Sequence, residues 1–388
     1  MKRAIITLFA LSCISIAHKS LAERERSSND PTFCRPGEEA VTSRIASLNP
    51  RAVFGTIPQS PIPGVPDDAG LNRIHYLTGP WKLARDPANE GKRLNWQEDP
   101  PERDGRPALV PGIIQQAFPD YHGVAWYWTT FHAPSKPTSG TFHALRFLEV
   151  DYFVEVWLNG VLLGSHEGAE IPFELRCDAA LRYDAENLLV VRVINPIEEP
   201  IDGIVMEDIA HRFKFNKNYM AGAMYNYGGI TQGVELVENN LLRIVDLHAQ
   251  ADIGKSCINV SVRIWNDRKA AEECRLAATI TLRNSDKLLT NQSFPITAPG
   301  GESEHQLLIP IAQPRWWSPD DPQFYCVTVD LDAGASTESC QEQKTVRCGF
   351  RELRVEDGYF HLNGKRILLR CTATINDYSF GEKIPSDY

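Results

Sequence analysis

Two Asn-Gly dipeptides, each set between apolar runs, constrain this chain more than any other feature. Asn159-Gly160 lies within YFVEVWLNGVLLGSH (152–166), and Asn363-Gly364 within YFHLNGKRILLRC (359–371). A type I′ turn needs positive φ at both central residues. Asn and Gly tolerate that and β-branched residues do not, so each dipeptide predicts a β-hairpin. The surrounding segments agree. AWYWTTFHA (125–133) is rich in β-branched and aromatic residues, and ENLLVVRVINP (186–196) reads as a buried strand stopped by Pro196. Pro, Gly, Asn and Asp recur between these runs, and no long amphipathic helix is apparent. Residues 71–240 are therefore expected to form an all-β sandwich.

A second β unit is expected over 241–347. LLRIVDLHAQAD (241–252), SCINVSVRIWND (256–267), CRLAATITLRNSDKLLTNQSF (274–294), EHQLLIPI (304–311) and QFYCVTVDL (323–331) are strand-like runs at short intervals. That spacing suits an immunoglobulin-like sandwich. Upstream, PQSPIPGVPDDAG (58–70) is too rich in Pro and Gly for a helix or central strand, so 23–70 reads as an extended arm or linker.

Charge narrows the partners. Lys plus Arg is 40 and Asp plus Glu is 50, a formal net charge of −10. Nucleic acid and anionic membrane surfaces both favour a basic face, so neither is expected as a partner; a neutral sugar or another protein remains open. Lys2 and Arg3 precede an uncharged run over 4–17, and Ser20-Leu21-Ala22 places small residues at −3 and −1 of a cleavage point. Residues 1–22 thus predict a cleavable signal peptide and an exported, periplasmic or extracellular, protein. The run is shorter than the roughly 20 residues that a membrane span needs.

Removal of that segment takes Cys13 and leaves eight cysteines, none in a C-x-x-C pair, so a zinc or thioredoxin-type site has no support. Cys257 with Cys274, or Cys326 with Cys340, could bridge in an oxidising compartment; buried free thiols are the alternative.

Several residues invite a chemical reading and have a structural one. Trp126 and Trp128 share a strand face, because residues two apart do, and are expected to pack in the core between the sheets rather than stack on a sugar; Trp157 is likewise expected to be packed. His166-Glu167-Gly168 looks like a catalytic pair, yet beside a hairpin it is expected to be a loop held by side-chain hydrogen bonds. Gly228-Gly229 is too short for a phosphate loop and lacks the strand-to-helix context.

Taken in order, the segments resemble the N-terminal portion of glycoside hydrolase family 2, the β-galactosidase, β-glucuronidase and β-mannosidase group. The matching pieces are GPWKL (79–83), LVPGI (109–113), HGVAWYWTTF (122–131), LRFLEVDYFVEVWLNGVLLGSHEGAEIPFEL (145–175), YGGITQGVEL (227–236), PRWWSPDDPQFY (314–325) and CGFRELRVEDGYFHLNGKRILLRC (348–371). The resemblance implies a jelly-roll, sugar-binding-type sandwich, then the immunoglobulin-like sandwich, then the entry hairpin of a catalytic (β/α)8 barrel beginning at 348.

The same resemblance implies an O-glycosidase acting on terminal β-linked sugars, with carbohydrate as the partner. It also leaves room for a homo-oligomer of the full-length enzyme. It implies no cofactor and no metal in this portion. The family's two catalytic Glu residues belong to later barrel strands, so no catalytic residue is assigned here. A (β/α)8 barrel takes about 250 residues, and only 41 follow Arg347. Residues 348–388 are thus expected to hold the hairpin and a first strand near 366–375, making the chain a fragment or truncated frame. Asn89-Glu90 repeats the family's acid/base dipeptide but falls in a polar N-terminal loop.

Three residues carry over as substrate contacts. Asp202, in PIEEPIDGIVMED, lies where a jelly-roll loop of the family reaches toward the sugar site; Asn376 and Asp377 follow the first barrel strand. Where many members have Gly and then His, this chain has Cys371 and Ile375, which leaves the sugar open. A carbohydrate-binding sandwich without catalysis and an interaction scaffold are the competing expectations.

Overall fold

A computed structural model describes residues 74–77, 79–137, 140–169, 171–206, 226–282, 285–333 and 341–370. The expected signal peptide, the arm, Cys340, Asn376 and Asp377 lie outside the described residues. The described chain is nearly all β, arranged as two sandwiches and a small terminal sheet.

The first sandwich holds β1 (Ile74–Tyr76), β2 (Gly79–Arg85), β3 (Arg106–Val110), a single helical turn α1 (Ile114–Ala117), β4 (Gly123–His132), β5 (Thr141–Phe147), β6 (Phe153–Leu158), β7 (Val161–Glu167), β8 (Phe173–Arg176), β9 (Glu186–Asn195) and β10 (Val234–Asn240). Six strands pair in the order β3-β2-β4-β9-β6-β7 and four in the order β1-β10-β5-β8. Alternation decides what each face meets. Leu189, Val191 and Val193 of β9 point into the core with Tyr127, Val154 and Val156, against Leu145, Phe147, Val234 and Leu236 of the other sheet.

The opposite face of the six-stranded sheet is buried as well. Trp126, Trp128, Trp157, Val190 and Ile194 pack there with Trp96. Trp126 and Trp157 stack at 5.3 Å between ring centroids. The indoles are packed, but on the outer face of the six-stranded sheet and not between the two sheets as expected, because the 86–105 segment covers that face. Asp86 ties the 86–105 segment over them: one carboxylate oxygen accepts from the backbone N–H of Glu90, the other from Gly91 N–H and Trp126 Nε1. A Cβ on Gly91 would meet the Trp126 ring at 2.5 Å, which explains the glycine.

The turn between β6 and β7 has the expected geometry, with φ of 52° at Asn159 and 81° at Gly160. His166 and Glu167 are not a loop. They end β7, in register with Val154 and Phe153 of β6. The His166 ring stacks on Phe173 at 4.3 Å, and Glu167 accepts from the Tyr152 hydroxyl at 3.0 Å. Cross-strand pairing and ring stacking together extend the strand through residues that look like loop.

The second sandwich is immunoglobulin-like: β11 (Leu242–Asp252), β12 (Cys257–Asn266), β13 (Glu272–Leu282), β14 (Ser285–Ala298), β15 (Gly301–Pro310), β16 (Tyr325–Asp332) and β17 (Gln341–Cys348). Sheets β11-β12-β15 and β14-β13-β16-β17 enclose Ile258, Val260, Val262, Ile264, Leu276, Ile280, Val327 and Val329. The run 274–294 divides between two strands, β13 and β14, and β17 is an extra strand that its polar sequence hides.

Cys257 and Cys274 are both buried free thiols, which corrects that proposed bridge. Cys257 opens β12, whereas Cys274 follows the turn after β12 ends. Nine residues of strand, roughly 30 Å at 3.3 Å each, separate those two ends, while a bridge needs Cα atoms within about 7 Å.

The last sheet joins β18 (Leu353–Glu356), β19 (Tyr359–Leu362) and β20 (Lys365–Arg366). Asn363 and Gly364 adopt φ of 51° and 76°, again matching the expected turn. Ile367–Arg370 form no strand, so the described part of the expected strand near 366–375 is extended only at Arg366, which pairs antiparallel with β19 in the hairpin sheet.

Candidate functional site

The candidate site lies where β9 ends and the connection toward β10 begins, because Asp202 sits there. It grows from one charge in an apolar strand. Arg192 belongs to β9 between Val191 and Val193, and alternation points it to the tryptophan-covered face of the six-stranded sheet. Its side chain is fully buried. An unpaired cation there would be very costly, so partners are obligatory.

Three separate segments supply them. Arg192 Nη1 donates to Glu155 Oε2 of β6 at 2.6 Å. Its Nη2 donates to Asn89 Oδ1 at 2.6 Å and to Asp202 Oδ2 at 2.7 Å. Asn89 also donates to Asp202 Oδ1 at 3.0 Å. Lys92 pairs with Glu155 at 2.7 Å and lies 3.7 Å from Asp202. Two cations therefore balance two carboxylates.

Asp202 is placed by a turn. Asp202 and Gly203 have φ of 50° and 89°, and Ile201 and Ile204 exchange backbone hydrogen bonds across them. Asp-Gly suits such a turn for the same reason as Asn-Gly. Partial burial would raise the Asp202 carboxyl. The Arg192 charge, hydrogen bonds from Asn89 and Arg192, and Lys92 outweigh it and hold the group below the ordinary range. Asp202 thus stays ionised and anchored to Arg192 and Asn89. It is suited to fixing a loop or accepting a hydroxyl proton in a hydrogen bond, and unsuited to donating a proton.

A second polar cluster fastens the returning end. Asn195 accepts from Gln115 at 2.9 Å, lies 2.8 Å from His122 Nδ1, and donates to Asn226 Oδ1 at 2.9 Å. Asn226 donates to the Pro196 carbonyl at 2.6 Å. Gly228 and Gly229 serve close packing: a Cβ on Gly228 would lie 2.4 Å from Asn195 Cβ, and one on Gly229 would lie 2.7 Å from the Tyr127 hydroxyl. Both ends of the connection are thus fixed to β9.

Asp202 lies in the connection after β9, where the sequence places it, whereas Arg192, Glu155 and Lys92 around it are not apparent from the sequence. Their signal was an arginine inside LLVVRVIN, since a charge in a buried strand requires a counter-charge on a neighbour. Asn89, expected to lie in a polar loop and not to be the family's acid/base residue, is a loop residue that bridges Arg192 and Asp202. Asn376 and Asp377 lie outside the described residues. Two carboxyls elsewhere are pushed up by burial, Glu235 on β10 and Glu342 on β17, in different sandwiches and away from Asp202. Among the described residues no group of three or more His, Cys, Asp or Glu side chains is arranged to hold a metal ion.

Fold and site together define a two-sandwich β protein whose first sandwich carries a long, doubly anchored connection. Residues 108–240 match the family described as glycosyl hydrolases family 2, sugar binding domain, and residues 242–351 match glycosyl hydrolases family 2. The chain belongs to glycosyl hydrolase family 2, through these two domains. It is 26% identical over 314 residues to a β-glucuronidase of Paenibacillus borealis, covering 79% of this chain and 50% of that protein. The fold is similar to the crystal structure of Ruminococcus gnavus β-glucuronidase, with a TM-score of 0.58 and 20% identity over 77% of this chain and 48% of that one. The same enzyme in complex with D-glucuronic acid gives a TM-score of 0.58 at 19% identity, over 77% of this chain and 49% of that one. The chain therefore spans about half the length of the relatives it matches.

Proposed function

We propose that this chain is the non-catalytic front part of an exported, β-glucuronidase-like glycoside hydrolase that acts on terminal β-linked sugars. The observation that carries the reading is the match to both family domains over a chain that spans half of its relatives' length. Retaining glycosidases need two carboxyl groups about 5–5.5 Å apart, one staying protonated to act as acid. Asp202 is held ionised, and the carboxyls raised by burial lie in separate sheets. On this reading the acid pair comes from chain that follows.

The terminal hairpin supports the same view. Leu353, Val355 and Phe360 share one face of their sheet and are 56%, 66% and 42% exposed. Leu368 beyond them is 84% exposed. Apolar side chains on one face of a small sheet suit a surface that a further domain covers. Asp202, Asn376 and Asp377 are the residues through which this part would reach a sugar. Export rests on the basic start, apolar run and small-residue cleavage point of residues 1–22.

The test compares the purified chain with the full product of its gene on nitrophenyl β-glucuronide and β-galactoside. The chain alone is expected to give no turnover above background, and a longer product to hydrolyse one of them. Turnover by the chain itself, abolished by changing one of its own carboxylates, overturns the proposal. A gene product that ends at Tyr388 and binds glycans without cleaving them would instead select a carbohydrate-binding protein.

A further inference from the structure

His143 is the third residue of β5 and shares the core-facing side with Leu145 and Phe147. It is 1% exposed, and among the described residues neither ring nitrogen has a hydrogen-bond partner. A buried imidazole without partners is tolerated when neutral and becomes very costly when charged. The glycosidase reading makes no use of it.

The groups around it come from every neighbouring element. Glu238 of β10 lies directly opposite and accepts from Thr141 at 2.9 Å. Past β8, the Cys177 N–H donates to the His143 carbonyl, and the backbone N–H of His143 donates to Asp178 Oδ1 at 2.7 Å. Asp178 also accepts from Arg176 at 2.6 Å and from the Tyr183 hydroxyl at 3.3 Å. The Tyr183 ring meets the imidazole edge-on, 5.6 Å between centroids. His75 of β1 lies on the far side of β10, opposite Leu236. Both carboxylates near His143 thus already serve other donors.

We propose that His143 is an acid-sensing latch: its protonation opens the end of the first sandwich where β5, β8 and residues 177–184 meet, uncovering the Cys177 thiol. Burial holds the imidazole below its ordinary range; Glu238 and Asp178 oppose this and His75 reinforces it. A depressed folded-state value means that stability is complete above the unfolded value of 6.5 and is lost as the pH falls below it. The new cation must find Glu238, Asp178 or water, and each requires the ring to leave the core.

The readout is thiol labelling with dithiodipyridine, which reacts at acid pH, followed by peptide mapping. Cys177 is 1% exposed, and Cys257 of the second sandwich, 3% exposed, serves as the internal reference. The Cys177-to-Cys257 labelling ratio is expected to rise by up to about tenfold for each pH unit below the unfolded histidine value, the limit for uptake of one proton. H143F keeps a ring against Tyr183 and is expected to abolish the rise. A flat ratio in the parent chain, or the same rise in H143F, overturns the proposal. If H143F does not fold, the imidazole of the parent chain is titrated by NMR. A midpoint at or above the ordinary histidine value overturns the latch, and a depressed one sustains it.

Discussion

The first sandwich buries both faces of its large sheet and must accommodate charge within it; the second is filled almost wholly by hydrocarbon. In the first, Asp86, His143, Asn187, Arg192, Asn195, Asn226 and Glu235 are among the buried polar residues. In the second, only Asn266, Gln323 and Glu342 are buried among the described residues. Its ion pairs stay outside: Arg263 with Asp246 and Glu302, and Arg275 with Asp332, all with partly or largely exposed side chains. The difference follows from the connections. The first sandwich must hold the 86–105 segment and both ends of the β9–β10 connection, and directional bonds to buried groups fix such segments where apolar contact alone would let them slide. The second is a sequence of strands joined by shorter links, and needs only to exclude water.

The two sandwiches should differ most when a charge is removed from each. Arg192→Ala leaves Glu155 and Asp202 facing an empty guanidinium site, and removal of one member of a buried charge cluster costs about 3–5 kcal/mol. Arg275→Ala, at an exposed pair of the second sandwich, is expected to cost at most about 1 kcal/mol. Urea midpoints for the two variants check this. Equal losses would remove the distinction between the sandwiches.

Next in size is a pH effect whose sign opposes that of His143. Glu342 accepts the backbone N–H of Ile244 at 2.9 Å, linking β17 to β11, and burial pushes its carboxyl up to about 7. A raised value favours the protonated fold, so this stability is fully present below the ordinary value of 4.5 and is lost as pH rises through about 7. E342Q keeps an acceptor for Ile244 and removes the charge. It is expected to stabilise the chain by on the order of 3 kcal/mol at pH 8 and by little at pH 4, from 1.36 kcal/mol per unit. Denaturant midpoints at the two pH values measure it, and an equal effect at both contradicts the assignment.

At two open turns the sandwiches should respond alike. Gly203 in the first sandwich and Gly301 in the second have φ of 89° and 88°, with nothing within 4 Å of a Cβ built on either. Gly→Ala at each is expected to cost the same, about 1–2 kcal/mol of left-handed backbone strain. Thermal melts of the two variants test whether packing is irrelevant at these turns. A clearly larger loss at Gly203 would show that the Asp202 turn carries strain beyond its own backbone.

Legibility in the sequence followed the range of the interaction involved. Both Asn-Gly turns were readable because the φ requirement is local. The alternation in β4, β9 and β12 was readable because strand period and burial agree there. β17, QEQKTVRC, was hidden because its pairing with β16 rests on backbone bonds that leave no apolar pattern. His166 and Glu167 look like loop residues and are strand residues, since Phe173 and Tyr152 hold them from distant positions. Asp202 could be placed in its segment, but not joined to Arg192, Asn89 and Glu155. These partners come from elements up to about a hundred residues apart, and sequence spacing carries no such information.

That this chain forms β-sandwiches with tight Asn-Gly hairpins, is acidic and follows the segment order of glycosyl hydrolase family 2 could be read from its residues alone. Backbone sterics and the two-residue period of a strand act over a few positions, so local residues suffice to specify them. It took the packed sheets to show that Arg192 is buried among three distant segments, that Cys257 and Cys274 lie too far apart to bridge, and that the ring nitrogens of buried His143 have no hydrogen-bond partner among the described residues. Each depends on which strands become neighbours, and that is settled by how whole sheets bury their faces.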